Sequence, residues 1–90
     1  LIDTFCHELG HHVQFKAKTP IAKSYISVER KTKPSMEDVR NICLPLEWEA
    51  DDLAARLHAH FFPDMPEYKR GYRNPEKDFK FLMKFYGVSK

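Results

Sequence analysis

Ninety residues give enough chain for one core and no second. With 15 Lys and Arg against 13 Asp and Glu, the formal net charge is +2, too evenly divided for a nucleic-acid binder, which needs clustered, unopposed positive charge. A 42% hydrophobic content with seven Phe, four Tyr and one Trp excludes a disordered chain, and no apolar run nears the roughly 20 residues of a membrane span. Cys6 and Cys43 are too few for a disulfide framework. They read as half-buried free thiols in a reducing compartment, which places the chain in the cytoplasm. No secretory leader is expected over Leu1 to His7, and a first residue other than Met reads as a fragment or processed product with a segment missing upstream.

In chain order, Ile2, Phe5, Leu9 and Val13 recur at spacings of three and four, so residues 1–15 are predicted helical with that face buried. Residues 16–34 are basic, bracketed by Pro20 and Pro34, and are predicted irregular. Within them Ser24 to Val28 is a β-like run, one short strand or half of a hairpin. Ser35 with Asp38 resembles a capping box and predicts a short helix over Met36 to Cys43. Pro45 then either starts a new helix or kinks the old one. Leu46, Ala50, Leu53, Ala54, Leu57 and Phe61 make the apolar stripe of the next helix, which Pro63 ends, so helices span 35–62. Residues 63–73 read as a loop, and its Lys69, Arg70 and Arg73, interleaved with Tyr68 and Tyr72, as a solvated basic-aromatic stretch diluted by Asp64 and Glu67. Asn74-Pro75-Glu76 caps a last helix over 74–87, stopped by Gly87, with Phe79, Leu82, Met83 and Tyr86 buried.

His7-Glu8-Leu9-Gly10-His11 is an HExxH motif. Residues four apart on a helix share a face, so His7 and His11 can aim two imidazoles at one ion. Zinc takes imidazole nitrogen readily and leaves room for a third protein ligand and a water. Glu8 is placed to take a proton from that water and hand it to a leaving group. His12, rotated about 100° from His11, falls to the outer shell or the surface. Gly10 in mid-helix costs about 1 kcal/mol relative to Ala, and close approach of another backbone is one reason for it. The bland alternative is a solvated pair of helical histidines.

A third ligand is on offer at the start of the strongest helix, where Glu47 and Asp51 lie four apart on one face. Glu47 can reach the metal while Asp51 accepts the other ring N–H of a ligating histidine. Glu49, about 200° round the helix, points elsewhere, so only one of the two glutamates is expected to face the first helix. Spacing prefers Glu47. Glu49 and Asp52 read as acids of a solvated helix N-terminus. His58 and His60 read as surface histidines, with His58 on the flank of Glu47 and Asp51. Cys6 and His7 are adjacent and point about 100° apart, so they make no nucleophile–base pair.

HELGHH in one helix and EWEADDLAARL in a later one resemble the gluzincin type of zinc metallopeptidase, HExxH followed by a glutamate helix of the form ExxxD. The likeness is strongest to the ImmA/IrrE-type proteins, and HELGHHVQ is also similar to bacterial neutral zinc metallopeptidases with an ExxAD segment. It covers residues 3–15 and 46–57. The resemblance implies one Zn2+ held by His7, His11 and Glu47, with Glu8 as general base and acid and Asp51 in support. Family members place a β-sheet before the HExxH helix, and its edge strand binds the substrate; here only Ser24 to Val28 is a candidate for that wall. Such proteins also often carry or meet a DNA-binding helix-turn-helix, and no such unit stands in this chain.

The expectation is therefore a mainly α, zincin-like domain over 1–90 with at most a short hairpin, truncated at its N-terminus. Its expected activity is hydrolysis of peptide bonds in a peptide or protein substrate by a zinc-bound water that Glu8 activates, with a DNA-binding regulator as a candidate substrate or partner and neither membrane nor nucleic acid bound directly. The rival expectation is a zinc-stabilised regulatory or protein-interaction module that hydrolyses nothing.

Overall fold

The N-terminal helix, α1 (Ile2–Ala17), ends in a tight reversal. Lys18 takes a positive φ of 56°, and Thr19 N–H returns to Gln14 O at 3.1 Å. This is a Schellman stop with lysine in the position glycine usually holds. Residues 2–88 are described by this computed structural model.

The expected irregular segment is instead largely helical, since α2 occupies Pro20–Glu29. Thr19 caps it, accepting from Ala22 N–H at 3.4 Å, and Pro20 stands at the first helical position. Ala22, Tyr25 and Val28, three apart, turn inward, while Ser24, Ile26 and Ser27 face solvent. The β-branched run at Ser24 to Val28 is thus overruled by its cap and by packing of a helical face. No strand or hairpin occurs among the described residues, and the Ser24–Val28 cleft wall falls with it.

Ser35 and Asp38 form a reciprocal capping box, Ser35 Oγ accepting from Asp38 N–H at 3.0 Å and Asp38 Oδ2 from Ser35 N–H at 3.1 Å. It starts α3 (Met36–Asp38), which runs through a π-helical turn (Val39–Cys43) into α4 (Leu44–Phe61). The backbone stays right-handed helical throughout, with Leu44 N–H bonded to Val39 O. Pro45 therefore stands in the first turn of α4, on a backbone that is already helical before it. Its ring would clash with the carbonyl four residues back in a regular α-helix, and the wider turn just before it gives that ring room.

After α4 the chain turns at Pro63 and Asp64, with Met65 N–H on Phe62 O, and continues without regular structure to Asn74, whose side chain accepts from Lys77 N–H at 3.1 Å and starts α5 (Pro75–Phe85). Gly87, with φ 69°, closes it in a second Schellman turn, with Val88 N–H on Met83 O at 2.8 Å. Phe79, Leu82 and Met83 pack with Val28, Val39, Cys43 and Leu44 into the main apolar core. Arg40 lays its guanidinium 4.0 Å from the Phe79 ring centre.

The buried faces of α1 and α4 differ from the apolar stripes of the sequence. Cys6, Gly10 and Gln14 of α1 are buried, whereas Phe5 is 55% exposed and Leu9 and Val13 are only half-buried. On α4 the buried set is Leu44, Leu46, Ala50, Asp51, Ala54 and His58, and Phe61 is exposed. The physical reason is at Gly10, where a Cβ would overlap the Ala50 carbonyl oxygen. Small residues let the two backbones touch, and that contact rotates both helices toward their small and polar sides. Cys6 and Cys43 are fully buried free thiols.

Candidate metal centre

Close contact of α1 and α4 brings together residues 36 to 44 positions apart. His7 Nε2 and His11 Nε2 converge on one oxygen, Glu47 Oε2, at 2.9 and 3.1 Å. The ligand atoms of His7, His11 and Glu47 all lie within 4.8 Å of one another, a group able to hold a metal ion. The imidazoles meet edge to face at 4.6 Å.

The other nitrogen of each ring is already engaged. His7 Nδ1–H donates to Asp51 Oδ1 at 2.8 Å, and His11 Nδ1–H donates to Gln14 Oε1 at 2.8 Å. Both rings are thereby held in the orientation that aims Nε2 at the shared point. A donor set of two imidazole nitrogens and one carboxylate, with both rings braced from behind, fits a divalent ion such as zinc.

Charge coupling follows the same bonds. Hydrogen bonds to Asp51 and then Glu47 push the His7 pKa up to about 10, although burial opposes them. Burial pulls on His11 in the opposite sense, yet Glu47 and Gln14 more than offset it and its pKa is raised. Burial would raise both Glu47 and Asp51, but the hydrogen bonds from the imidazoles win and both carboxyls stay below their ordinary values.

Asp51 is fully buried and holds more than a histidine. Tyr68 O–H donates to Oδ1 at 2.6 Å and Tyr72 N–H to Oδ2 at 2.9 Å. These bonds pin the connection between α4 and α5 against the site, and Tyr72 stacks on His7 with ring centres 5.9 Å apart. Tyr68 is buried, so the segment read as a solvated loop contributes a wall; its Lys69, Arg70 and Arg73 do face solvent. Burial and the adjacent Asp51 carboxylate push the Tyr68 hydroxyl pKa up.

Glu8 is exposed and lines the same cavity as His7, His11 and Glu47. His12 is exposed. Glu49 is not a solvated acid: it accepts from Gln14 Nε2 at 3.0 Å and from Thr19 Oγ1 at 2.7 Å. Both glutamates therefore face α1 or its end, because buried Gln14 sits between them and also donates to Leu46 O at 2.9 Å. Asp52 remains on the surface, paired with Arg70. His58 is buried rather than exposed, packed between Phe62 and Tyr68 and 3.9 Å from the Asp3 carboxylate, whereas His60 is exposed.

Gln14, Tyr68 and Tyr72 are the site residues that sequence reasoning missed. Gln14 had a signal, a polar residue three positions after His11 on its helical face. The tyrosines had none, since a connection without periodicity does not say which way its side chains turn. Comparison with known proteins finds no matching family model, no matching curated protein and no matching solved structure.

Proposed function

We propose that this protein is a zinc-dependent metallopeptidase of the zincin-like kind, with His7, His11 and Glu47 holding the ion. The observation that carries the reading is the meeting of two imidazole nitrogens and one carboxylate oxygen within 4.8 Å, beside a free carboxylate, Glu8, in one cavity. The ion, when bound, supplies Lewis acidity that polarises a carbonyl and acidifies a water. Glu8 would accept a proton from a water in the cavity and pass it to the departing amine. Asp51 and Gln14 keep the imidazoles turned inward, and Tyr72 shields one side of His7. A peptide or protein, including a DNA-binding regulator, is the proposed substrate. The two buried free thiols support a reducing, cytoplasmic setting, and no helix among the described residues is long and apolar enough to cross a membrane.

Zinc content and peptide hydrolysis measured on Glu8→Gln test the proposal. The expected outcome is one zinc per chain, as in the unsubstituted protein, with hydrolysis lost by at least about 100-fold. Hydrolysis that survives Glu8→Gln removes the assigned base. Glu47→Ala is expected to abolish zinc uptake and Glu49→Ala to keep it. One observation favours the rival reading, a zinc-stabilised interaction module. The His7–Glu47 and His7–Asp51 bonds tie α1 to α4 on their own, so the cluster has a structural use without turnover. Zinc uptake with no hydrolysis of any peptide in a broad library decides for that module.

A further inference from the structure

We propose that the cavity beside the metal centre is a subsite for a large apolar side chain, aromatic above all, of a bound peptide, and that Phe81 and Phe85 read it. This rests on the peptidase reading for its occupant and adds a substrate class to it.

The cavity, about 390 Å3, is lined by polar residues, His7, Glu8, His11 and Glu47 with Asp3 and Lys69 among them, and also by Tyr72, Phe81, Leu82 and Phe85. Phe81 and Phe85 are four apart on α5, on a face turned away from the buried Phe79 and Met83. They are 56% and 69% exposed, where a surface helix usually presents charged residues. Their rings nevertheless form an ordered row with the site. Ring centres step from His7 to Tyr72 at 5.9 Å, to Phe81 at 6.3 Å and to Phe85 at 6.4 Å.

This aromatic row begins on a candidate ligand and reaches Phe85, 69% exposed, whose ring also meets Tyr86 edge to face at 5.1 Å. Each step spans roughly two residues of extended peptide, so a chain whose carbonyl lies at the polar residues brings a side chain onto Phe81 within about four residues. Aromatic and large aliphatic side chains gain most from such a row, through area removed from water and edge-to-face ring contact. Leu82, buried at the base, anchors the row to the apolar core. Phe5 and Phe61 are as exposed as Phe81 but lie outside this cavity.

The test uses binding, so that it reads independently of turnover. Fluorescein-labelled ten-residue peptides of Ser, Ala and Gly, each with a single Phe or Ala at one stepped position, are titrated against the zinc-loaded Glu8→Gln protein by anisotropy. At one or two adjacent positions Phe is expected to bind about tenfold or more tighter than Ala. In a background of Phe81→Ser with Phe85→Ser the Phe-to-Ala ratio is expected to fall toward one. Circular dichroism and zinc stoichiometry establish that the double variant is folded and loaded, which the exposure of both rings permits. No Phe preference at any position, or a preference that survives the double variant, overturns the proposal. Loss of self-association in the double variant with no change in peptide binding also overturns it, since the rings then serve a second copy. A Phe preference in a protein that never hydrolyses peptides sinks the peptidase reading and leaves the subsite standing.

Discussion

The two contact regions of this molecule are built on opposite principles. The core between α2, the π-helical turn and α5 is apolar, with Val28, Val39, Leu44, Phe79, Leu82 and Met83 in contact. The seam between α1 and α4 has only a small apolar cluster, Cys6 and Ala54 with Tyr68, and is otherwise built on Gly10 against Ala50 and on Gln14 and Asp51, fully buried yet hydrogen-bonded. Apolar contact is non-directional, so the core sets where helices lie without specifying what a single atom meets. Buried polar groups must find partners, so the seam sets orientation atom by atom. The candidate metal ligands His7, His11 and Glu47 sit in the second region.

Leu82→Ala breaks the apolar side of that contrast and carries the largest expected effect. Leu82 is 2% exposed in the main core, and truncation there costs about 2–5 kcal/mol. Denaturant unfolding measures the loss, and zinc stoichiometry of the folded fraction is expected to stay at one per chain. A variant that loses stability and zinc together would mean the regions are not separable. Gly10→Ala strikes the seam instead. In an exposed helix this change gains about 1 kcal/mol, but here the new methyl meets the Ala50 carbonyl oxygen. The expected result is a loss of about 1–3 kcal/mol together with weakened zinc binding, as the helices part at the crossing that brings Glu47 to the histidines. Unfolding and a zinc titration on one preparation check both.

Asp51→Asn is a finer probe, because it keeps the shape and removes the charge behind His7. Its carboxylate accepts from His7, Tyr68 and Tyr72 at once. Loss of a supporting carboxylate typically costs 10–100-fold in metal affinity, and that range is expected from chelator competition. Gly71 and Tyr72 are expected to become sensitive to proteolysis, as the connection loses its anchor. An affinity equal to that of the unsubstituted protein would reduce Asp51 to a loop anchor alone.

What was legible in the sequence follows the same division. α5 was readable at both ends because Asn74-Pro75 and Gly87 act locally, and its core face followed from spacing. HExxH and the Glu47–Asp51 pair were readable because helical periodicity alone puts each pair on one face. α2 was misread because residue preference at Ser24 to Val28 opposed a cap and a packing face that lie outside the run. The faces of α1 and α4 were misread for a deeper reason. Apolar periodicity predicts the buried stripe only when burial is driven by apolar area, and here a glycine contact chose it, leaving Phe5 and Phe61 outside. Tyr68 and Tyr72 were invisible because tertiary bonds to Asp51 place them.

Proton coupling is the last difference between the regions, since the titratable groups of the apolar core, Cys43 and Tyr86 among them, are not candidate ligands. His7, with a pKa of about 10 in the ion-free protein, is an imidazolium at neutral pH. Its Nε2 proton must leave before that nitrogen can bind a metal, so zinc uptake releases protons. Zinc affinity is expected to rise with pH by up to about tenfold per unit for each proton displaced, and to keep rising toward pH 10. The ion-free fold has the opposite sign on its alkaline side. A raised His7 pKa contributes stability that is complete below the ordinary value of 6.5 and is lost as pH climbs through about 10. Glu47 and Asp51, held below 4.5 and 3.8, contribute above those values and lose their share as pH falls through the folded ones. Stability of the chelator-treated protein should therefore be greatest between about pH 4.5 and pH 6.5, while zinc affinity is still climbing. Thermal melts without metal and zinc competition assays at about pH 6, 7 and 8 measure the two trends on one sample. A zinc affinity that does not change across that range would mean the ion is not held by the nitrogens that Glu47 now occupies.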